Sequence, residues 1–124
     1  MENSITCKID ELENKAWYLN GKLHRRNGPA IEWPNGSKMW FLNGRHHRED
    51  GPAIETPVVL IDKKRAGGIK EWYLNDKRHR EDGPAVERAD GTKEWWLNGK
   101  LIAKGRKPKN WNRLLKSLSP GNRK

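Results

Sequence analysis

"HREDGPAIE" at residues 47–55 returns as "HREDGPAVE" at 79–87, with Ile54 exchanged for Val86, and a looser copy, "HRRNGPAIE", fills 24–32. A catalytic constellation is needed once in a chain. A structural rule is needed once per unit, so the recurrence reads as architecture. Aligning on the aromatic pair before each copy gives "WYLNGKLHR" from Trp17, "WFLNGRHHR" from Trp40, "WYLNDKRHR" from Trp72 and "WWLNGKLIA" from Trp95. The spacings are 23, 32 and 23 residues, and the long one carries a nine-residue insertion within "TPVVLIDKKRAGGIKE" between Glu55 and Trp72. The other connections are short, "WPNGSKM" after Glu32 and "RADGTKE" after Glu87.

Turn residues punctuate each unit. Asn20–Gly21, Asn43–Gly44 and Asn98–Gly99 carry the strongest short-range signal for a type I′ hairpin, and Asn75–Asp76 is their counterpart in the third unit. Asn35–Gly36 and Asp90–Gly91 mark a second turn. Gly28, Gly51 and Gly83 can take a positive φ, and Pro29, Pro52 and Pro84, lacking an N–H, suit strand starts. The expectation is an antiparallel meander with strands near 15–19, 22–25, 30–33, 38–42, 45–48, 53–61, 69–74, 77–80, 85–88, 93–97 and 100–103, led in by a half-repeat at 5–9. Period-2 geometry puts each Trp on the face of the Leu two residues on, and Tyr18, Phe41, Tyr73 and Trp96 on the other. Both faces thus carry aromatics, which a self-covering ribbon or a homodimer would shelter.

Composition sets limits. Of 124 residues 33% are hydrophobic, below the roughly 45–50% of an ordinary globular domain, so the core is thin and one domain is expected. Seven Trp argue against disorder despite 34% charged residues. The single Cys7 excludes an internal disulfide framework and is expected at least half-buried on a strand. No apolar run is long enough for a membrane span, and the first residues lack a signal peptide's basic and apolar regions. A cytoplasmic location follows as the expectation, the host cytoplasm if the protein is viral.

The charge is uneven. Residues 1–99 hold 17 Lys or Arg and 16 Asp or Glu, whereas 100–124 hold nine Lys or Arg and no acid. A repeat domain over 1–104, with an extended hairpin insertion at 56–70, is therefore expected ahead of a basic C-terminal helix and tail over 105–124. In that helix Trp111, Leu114, Leu115 and Leu118 form one stripe, with Asn110 as N-cap and Pro120–Gly121 as stop. The stripe is expected to cap the open end of the last repeat.

The period and the phrase "DGTKEWWLNGK" (90–100) resemble the membrane occupation and recognition nexus repeat, MORN. The "LNGK-x-HREDGPA" form resembles its divergent variant in bacteriophage, large-virus and some antitoxin-labelled bacterial proteins. The resemblance spans roughly residues 9–103 and implies stacked antiparallel hairpins. Ordinary MORN repeats have Gly where this chain has Arg25, Arg48 and Arg80, so lipid binding is not carried over. The family's distribution implies a viral accessory protein that binds and inhibits a host defence protein.

Neither repetition nor spacing supports an active site. His24, His47 and His79 are repeat-equivalent, expected as a structural ladder bonded within each unit. His46 beside His47 is a weak metal pair with no supporting Cys or carboxylate motif. Glu49, Asp50, Glu81 and Asp82 read as turn and ion-pair residues beside Arg48 and Arg80. Phosphate-loop, dinucleotide, nucleophile-elbow and zinc signatures are lacking. No catalytic residue, metal or cofactor is expected, and the chain reads as nonenzymatic. Two function classes remain. The first is a protein-binding module using the insertion, with Val58, Val59, Leu60, Ile61, Lys63, Lys64 and Arg65 as contacts. The second is a nucleic-acid or nucleotide binder, in which Lys104, Arg106, Lys107, Lys109, Arg113 and Lys116 track phosphates while Trp111 stacks.

Overall fold

The computed structural model describes residues 4–118. Both residues of the four Asn-Gly or Asn-Asp turns have positive φ, 50–52° at the Asn and 67–79° after it. This is the type I′ signature, whose twist matches the flanking strands. These turns join β2 (Lys15–Leu19) to β3 (Lys22–Leu23), β6 (Phe41–Leu42) to β7 (Arg45–His46), β12 (Tyr73–Leu74) to β13 (Lys77–Arg78) and β15 (Lys93–Leu97) to β16 (Lys100–Lys104). At the second turns only Gly36 and Gly91 are positive, at 95° and 91°. They connect β4 (Ile31–Glu32) to β5 (Lys38–Met39) and β14 (Val86–Glu87) to β15. With β1 (Thr6–Ile9), β8 (Ile54–Glu55) and β11 (Lys70–Glu71), the main antiparallel sheet runs β1-β2-β4-β5-β8-β11-β14-β15-β16, with β3 beside β2. The protein is thus mainly β, an antiparallel meander with one short C-terminal helix.

The expected strands 38–42 and 69–74 each break at their Trp. The N–H groups of Trp17, Trp40 and Trp72 donate to the carbonyls of Ala30, Ala53 and Ala85 at 2.7–2.8 Å, on the main sheet. Their carbonyls accept from His24, His47 and His79 at 2.9–3.1 Å, on the side hairpin. Each Trp therefore passes the chain from one ladder to the other. In β15 the same step is a register shift between Trp95 and Trp96.

The register explains the charged residues inside the strands. One row across the sheet reads Lys15, Glu32, Lys38, Glu55, Lys70, Glu87, Lys93, with signs alternating at every step. Opposite charges directly across a pair contribute roughly 0.2–1 kcal/mol each. The neighbouring row reads Ala16, Ile31, Met39, Ile54, Glu71, Val86, Glu94 and is largely apolar. Ala30, Ala53 and Ala85 are fully buried beside these rows.

The insertion departs from expectation. Residues 53–61 do not form one strand: Ile54–Glu55, as β8, pairs with Lys70–Glu71, whereas Val58–Ile61 does not pair with 69–74. Pro57 cannot donate to a ladder, and Gly67 and Gly68 take φ of 69° and 60°. The Thr56 N–H reaches Ile69 O at 2.9 Å and the Gly68 N–H reaches Pro57 O at 2.9 Å, closing the base of an independent hairpin. It comprises β9 (Val58–Ile61) and β10 (Lys64–Gly67), turned by Asp62–Lys63, and β9 pairs with β10 alone. Cys7 is exposed on β1, not half-buried, because β1 is an edge strand exposed along its whole length.

At the other end helix α1 (Trp111–Lys116) covers the last unit. Asn110 makes no side-chain cap; its carbonyl accepts the Leu114 N–H. Trp95, Leu97 and Trp111 are buried together, with Ile102, Ala103, Leu114, Leu115 and Leu118 packed on them. The expected stop at Pro120–Gly121 lies outside the described residues.

Candidate functional site

The recurrent phrase builds the same clasp three times. The guanidinium groups of Arg25, Arg48 and Arg80 lie 3.8, 3.9 and 3.8 Å from the ring centres of Trp17, Trp40 and Trp72. Each Arg Nη1 donates to the following Pro carbonyl at 3.0–3.2 Å, and to Glu32, Glu55 or Glu87 at 3.1–3.2 Å. What covers these rings is a guanidinium held by an acid of the charged row. Such a partly desolvated stack is worth about 1–2 kcal/mol. Asp50 and Asp82 add Nε contacts at 3.0 and 2.9 Å, but they are largely exposed and contribute little.

The clasp corrects the reading of the glycines. Gly28, Gly51 and Gly83 do not have positive φ. A Cβ at each would lie 2.9, 2.7 and 2.7 Å from the Arg Cζ. A side chain at these positions has to displace the guanidinium that occupies the space.

The histidines bond across units. The Nδ1 atoms of His24, His47 and His79 accept the N–H groups of Asn43, Asn75 and Asn98 at 2.8–3.0 Å, each in the next unit's turn. With Nδ1 accepting, the neutral ring carries its proton on Nε2, which donates to Glu49 in the second unit and Glu81 in the third. Burial, with the Arg26 charge second, holds the His24 pKa below its usual value. The His46 ring lies between Phe41 and Tyr73 with Nδ1 3.2 Å from Asp76. Among the described residues no group of three His, Cys, Asp or Glu is placed to hold a metal.

On the opposite face the Glu71 carboxylate accepts from Tyr73 Oη at 2.9 Å and twice from Arg78 at 3.1 Å. Burial, then that bond to Glu71, raises the Tyr73 pKa. Burial works against the Glu94 carboxylate, but the Trp96 indole N–H and Arg88 outweigh it and its pKa falls. These groups are internally satisfied.

Of the sequence-selected residues, the insertion emerges most clearly. Val58, Val59, Leu60 and Ile61 are 45, 45, 71 and 60% exposed, half of the large exposed hydrophobics among the described residues. Alternation sends Val58 and Leu60 to one face of the hairpin and Val59 and Ile61 to the other, so neither face rests on the body. Lys63, Lys64 and Arg65 are exposed at its tip. The basic group is only partly as expected. Lys104, Arg106, Lys107, Lys109, Arg113 and Lys116 are exposed. Trp111 is 2% exposed, edge-on to Trp95 at 5.1 Å, with its indole N–H donating to Glu81 O at 2.9 Å. It has no free ring face for a base, because capping the last unit uses it.

The Arg–Trp clasp was missed in the sequence, although a signal exists. Arg follows Trp by eight residues in the first three units, and Ala103 takes that place in the fourth, where Trp111 supplies the cover. The geometry defines the class: an antiparallel β-repeat protein with a free apolar arm and a helical cap. Compared with known proteins, the chain matches no protein-family model, no curated protein and no solved structure.

Proposed function

We propose that the chain is a nonenzymatic protein-binding module that docks through the β9–β10 arm. The carrying observation is the exposure of four consecutive large apolar residues on a hairpin that pairs only with itself. Apolar surface beyond the needs of the fold marks interaction sites. The basic tip beside it favours a partner whose apolar cleft has an acidic rim. In the setting the MORN-like resemblance implies, that partner is a host defence protein, inhibited by occupation. No helix among the described residues is long and apolar enough to cross a membrane.

The test replaces residues 56–69 with Arg-Ala-Asp-Gly-Thr, the short connection found at 88–92. The intact and shortened chains, both confirmed folded by circular dichroism, are used to capture protein from nuclease-treated host lysate. A protein retained by the intact chain and lost by the shortened one supports the arm; equal retention by both rejects it. A second reading, nucleic-acid binding, rests on the six exposed cations, none in a salt bridge among the described residues. It requires affinity that falls with salt at a slope near −0.9 per phosphate contact on duplex DNA. Lys107→Gln with Arg113→Gln would lower that slope and leave arm-mediated protein binding unchanged.

A further inference from the structure

Successive clasps enclose a series of equivalent grooves. The loop after each His lies over the next unit, because the N–H groups of Arg25, Arg48 and Arg80 bond Phe41 O, Tyr73 O and Trp96 O at 3.1–3.3 Å. Beneath each loop lies that next unit's Trp-Leu pair. The last groove, floored by Trp95 and Leu97, is filled by α1: Trp111 packs on Trp95 and its indole N–H reaches the carbonyl of Glu81 in the loop above. Among the described residues nothing fills the two earlier grooves. One, of about 640 Å³, is floored by Trp72 and Leu74; the other, of about 540 Å³, by Trp40 and Leu42. Both fall within the roughly 300–1,000 Å³ of ordinary binding pockets.

We propose that the larger of these grooves binds a tryptophan-bearing, basic amphipathic segment of a partner protein, in the manner in which the last groove holds α1. Three observations carry this. The residues equivalent to Glu81 are Arg26 and Glu49, and among the described residues nothing donates to either carbonyl, so each open groove offers the acceptor that Trp111 uses. The open floors are half-buried where Trp95 and Leu97 are buried, so apolar surface remains to be covered. The rim of the larger groove carries Glu49, Asp50 and Asp82, 69, 84 and 87% exposed at their side chains. Lys109, Arg113 and Lys116 around Trp111 have the complementary charge. One difference separates the sites. Ala103 replaces the clasp Arg in the fourth unit, so Trp111 lies on a bare indole, whereas a guest in the open grooves meets a Trp already covered by guanidinium. An indole also packs on that surface, through the attraction of a cation for a ring. The site is separate from the arm, and replacing 56–69 leaves both grooves in place.

The probe is a synthetic peptide of residues 108–118, PKNWNRLLKSL, titrated into the isotope-labelled full-length protein. The expected result is chemical-shift change at Trp72, Leu74 and the Glu49–Asp50 amides, with the same peptide carrying Trp111→Ala binding about thirtyfold more weakly. Asp50→Lys with Asp82→Lys in the protein, both at exposed positions, is expected to weaken binding about tenfold at low salt. The proposal is overturned by the absence of shifts in the larger groove or by shifts confined to Trp95 and Glu81, where the peptide merely competes with the tethered helix. Equal binding of the Trp111→Ala peptide, or unchanged affinity in the rim variant, also overturns it.

Discussion

Replacing Gly51 with alanine places a methyl carbon 2.7 Å from Arg48 Cζ and 3.0 Å from its Nε and Nη1. The guanidinium is the end of a flexible side chain and can move, so the cost is what it loses by moving. It gives up a stack on Trp40 at 3.9 Å, a bond to Pro52 O at 3.0 Å and a bond to Glu55 at 3.1 Å. The stack is worth about 1–2 kcal/mol and the carbonyl bond about 0.5–1.5. The half-exposed ion pair adds little. A net loss of about 2–3 kcal/mol is expected, and at about 4 °C per kcal/mol for a chain of this size the melting temperature falls by about 8–12 °C. Urea unfolding followed by Trp fluorescence reads the free energy. The decisive comparison is the same substitution in an Arg48→Ala background. Gly51 does not have positive φ, so alanine there has no backbone strain. Without the guanidinium, Gly51→Ala is expected to stabilise by about 0.4–1 kcal/mol through the unfolded chain. If the substitution costs as much in that background as in the native one, the clasp is not the reason for the glycine and the reasoning fails.

Three other outcomes are expected. His79→Ala leaves the Asn98 N–H without its acceptor at 2.8 Å in a buried site and costs about 1–3 kcal/mol; faster hydrogen exchange at the Asn98 amide distinguishes this from a general loss of packing. Because the folded protein holds the His24 pKa below 6.5, the unfolded chain binds the proton more readily. The His24 contribution is therefore complete above pH 6.5 and declines as pH falls below it, so unfolding free energies from pH 8 to 5 should fall more steeply for the native protein than for His24→Gln. Equal slopes would show that His24 is not responsible. Trp111→Ala removes the edge-on contact with Trp95 and the bond to Glu81 O, costing about 3–5 kcal/mol by denaturant unfolding, and a negligible change would refute capping.

Much of the fold was legible because it is set by local chemistry. Asn-Gly pairs tolerate the positive φ of type I′ turns, and all four expected turns form where the sequence places them. The alternation in "WYL" and "WFL" put Trp and Leu together, and Trp40 with Leu42 and Trp72 with Leu74 do line the same grooves. The stripe from Trp111 to Leu118 gave the helix and its covering role. Errors gathered where a residue answers to something distant in the chain. Glycine permits positive φ, so Gly51 was read as a backbone device, and only the packed Arg48 shows that missing volume matters. His47 was assigned to its own unit, yet the free N–H within reach of its Nδ1 belongs to Asn75, 28 residues on. A single strand was expected over 53–61, but Pro57 and the Gly67–Gly68 pair redirect its second half into a separate ladder.

The sequence by itself determined the unit, its period, its turns, the faces of its strands and the two places where repetition stops. Turn preference and period-2 alternation act over a few residues, so they can be read from a single chain. Tertiary structure decided what binds the units together and what is left over. Stacking one unit on the next brings Arg over Trp, His Nδ1 to the next turn and Trp111 under the last loop. Partners are chosen there by distance in space. The same packing removed Trp111 from the exposed surface and, among the described residues, left the arm's apolar side chains and two grooves uncovered.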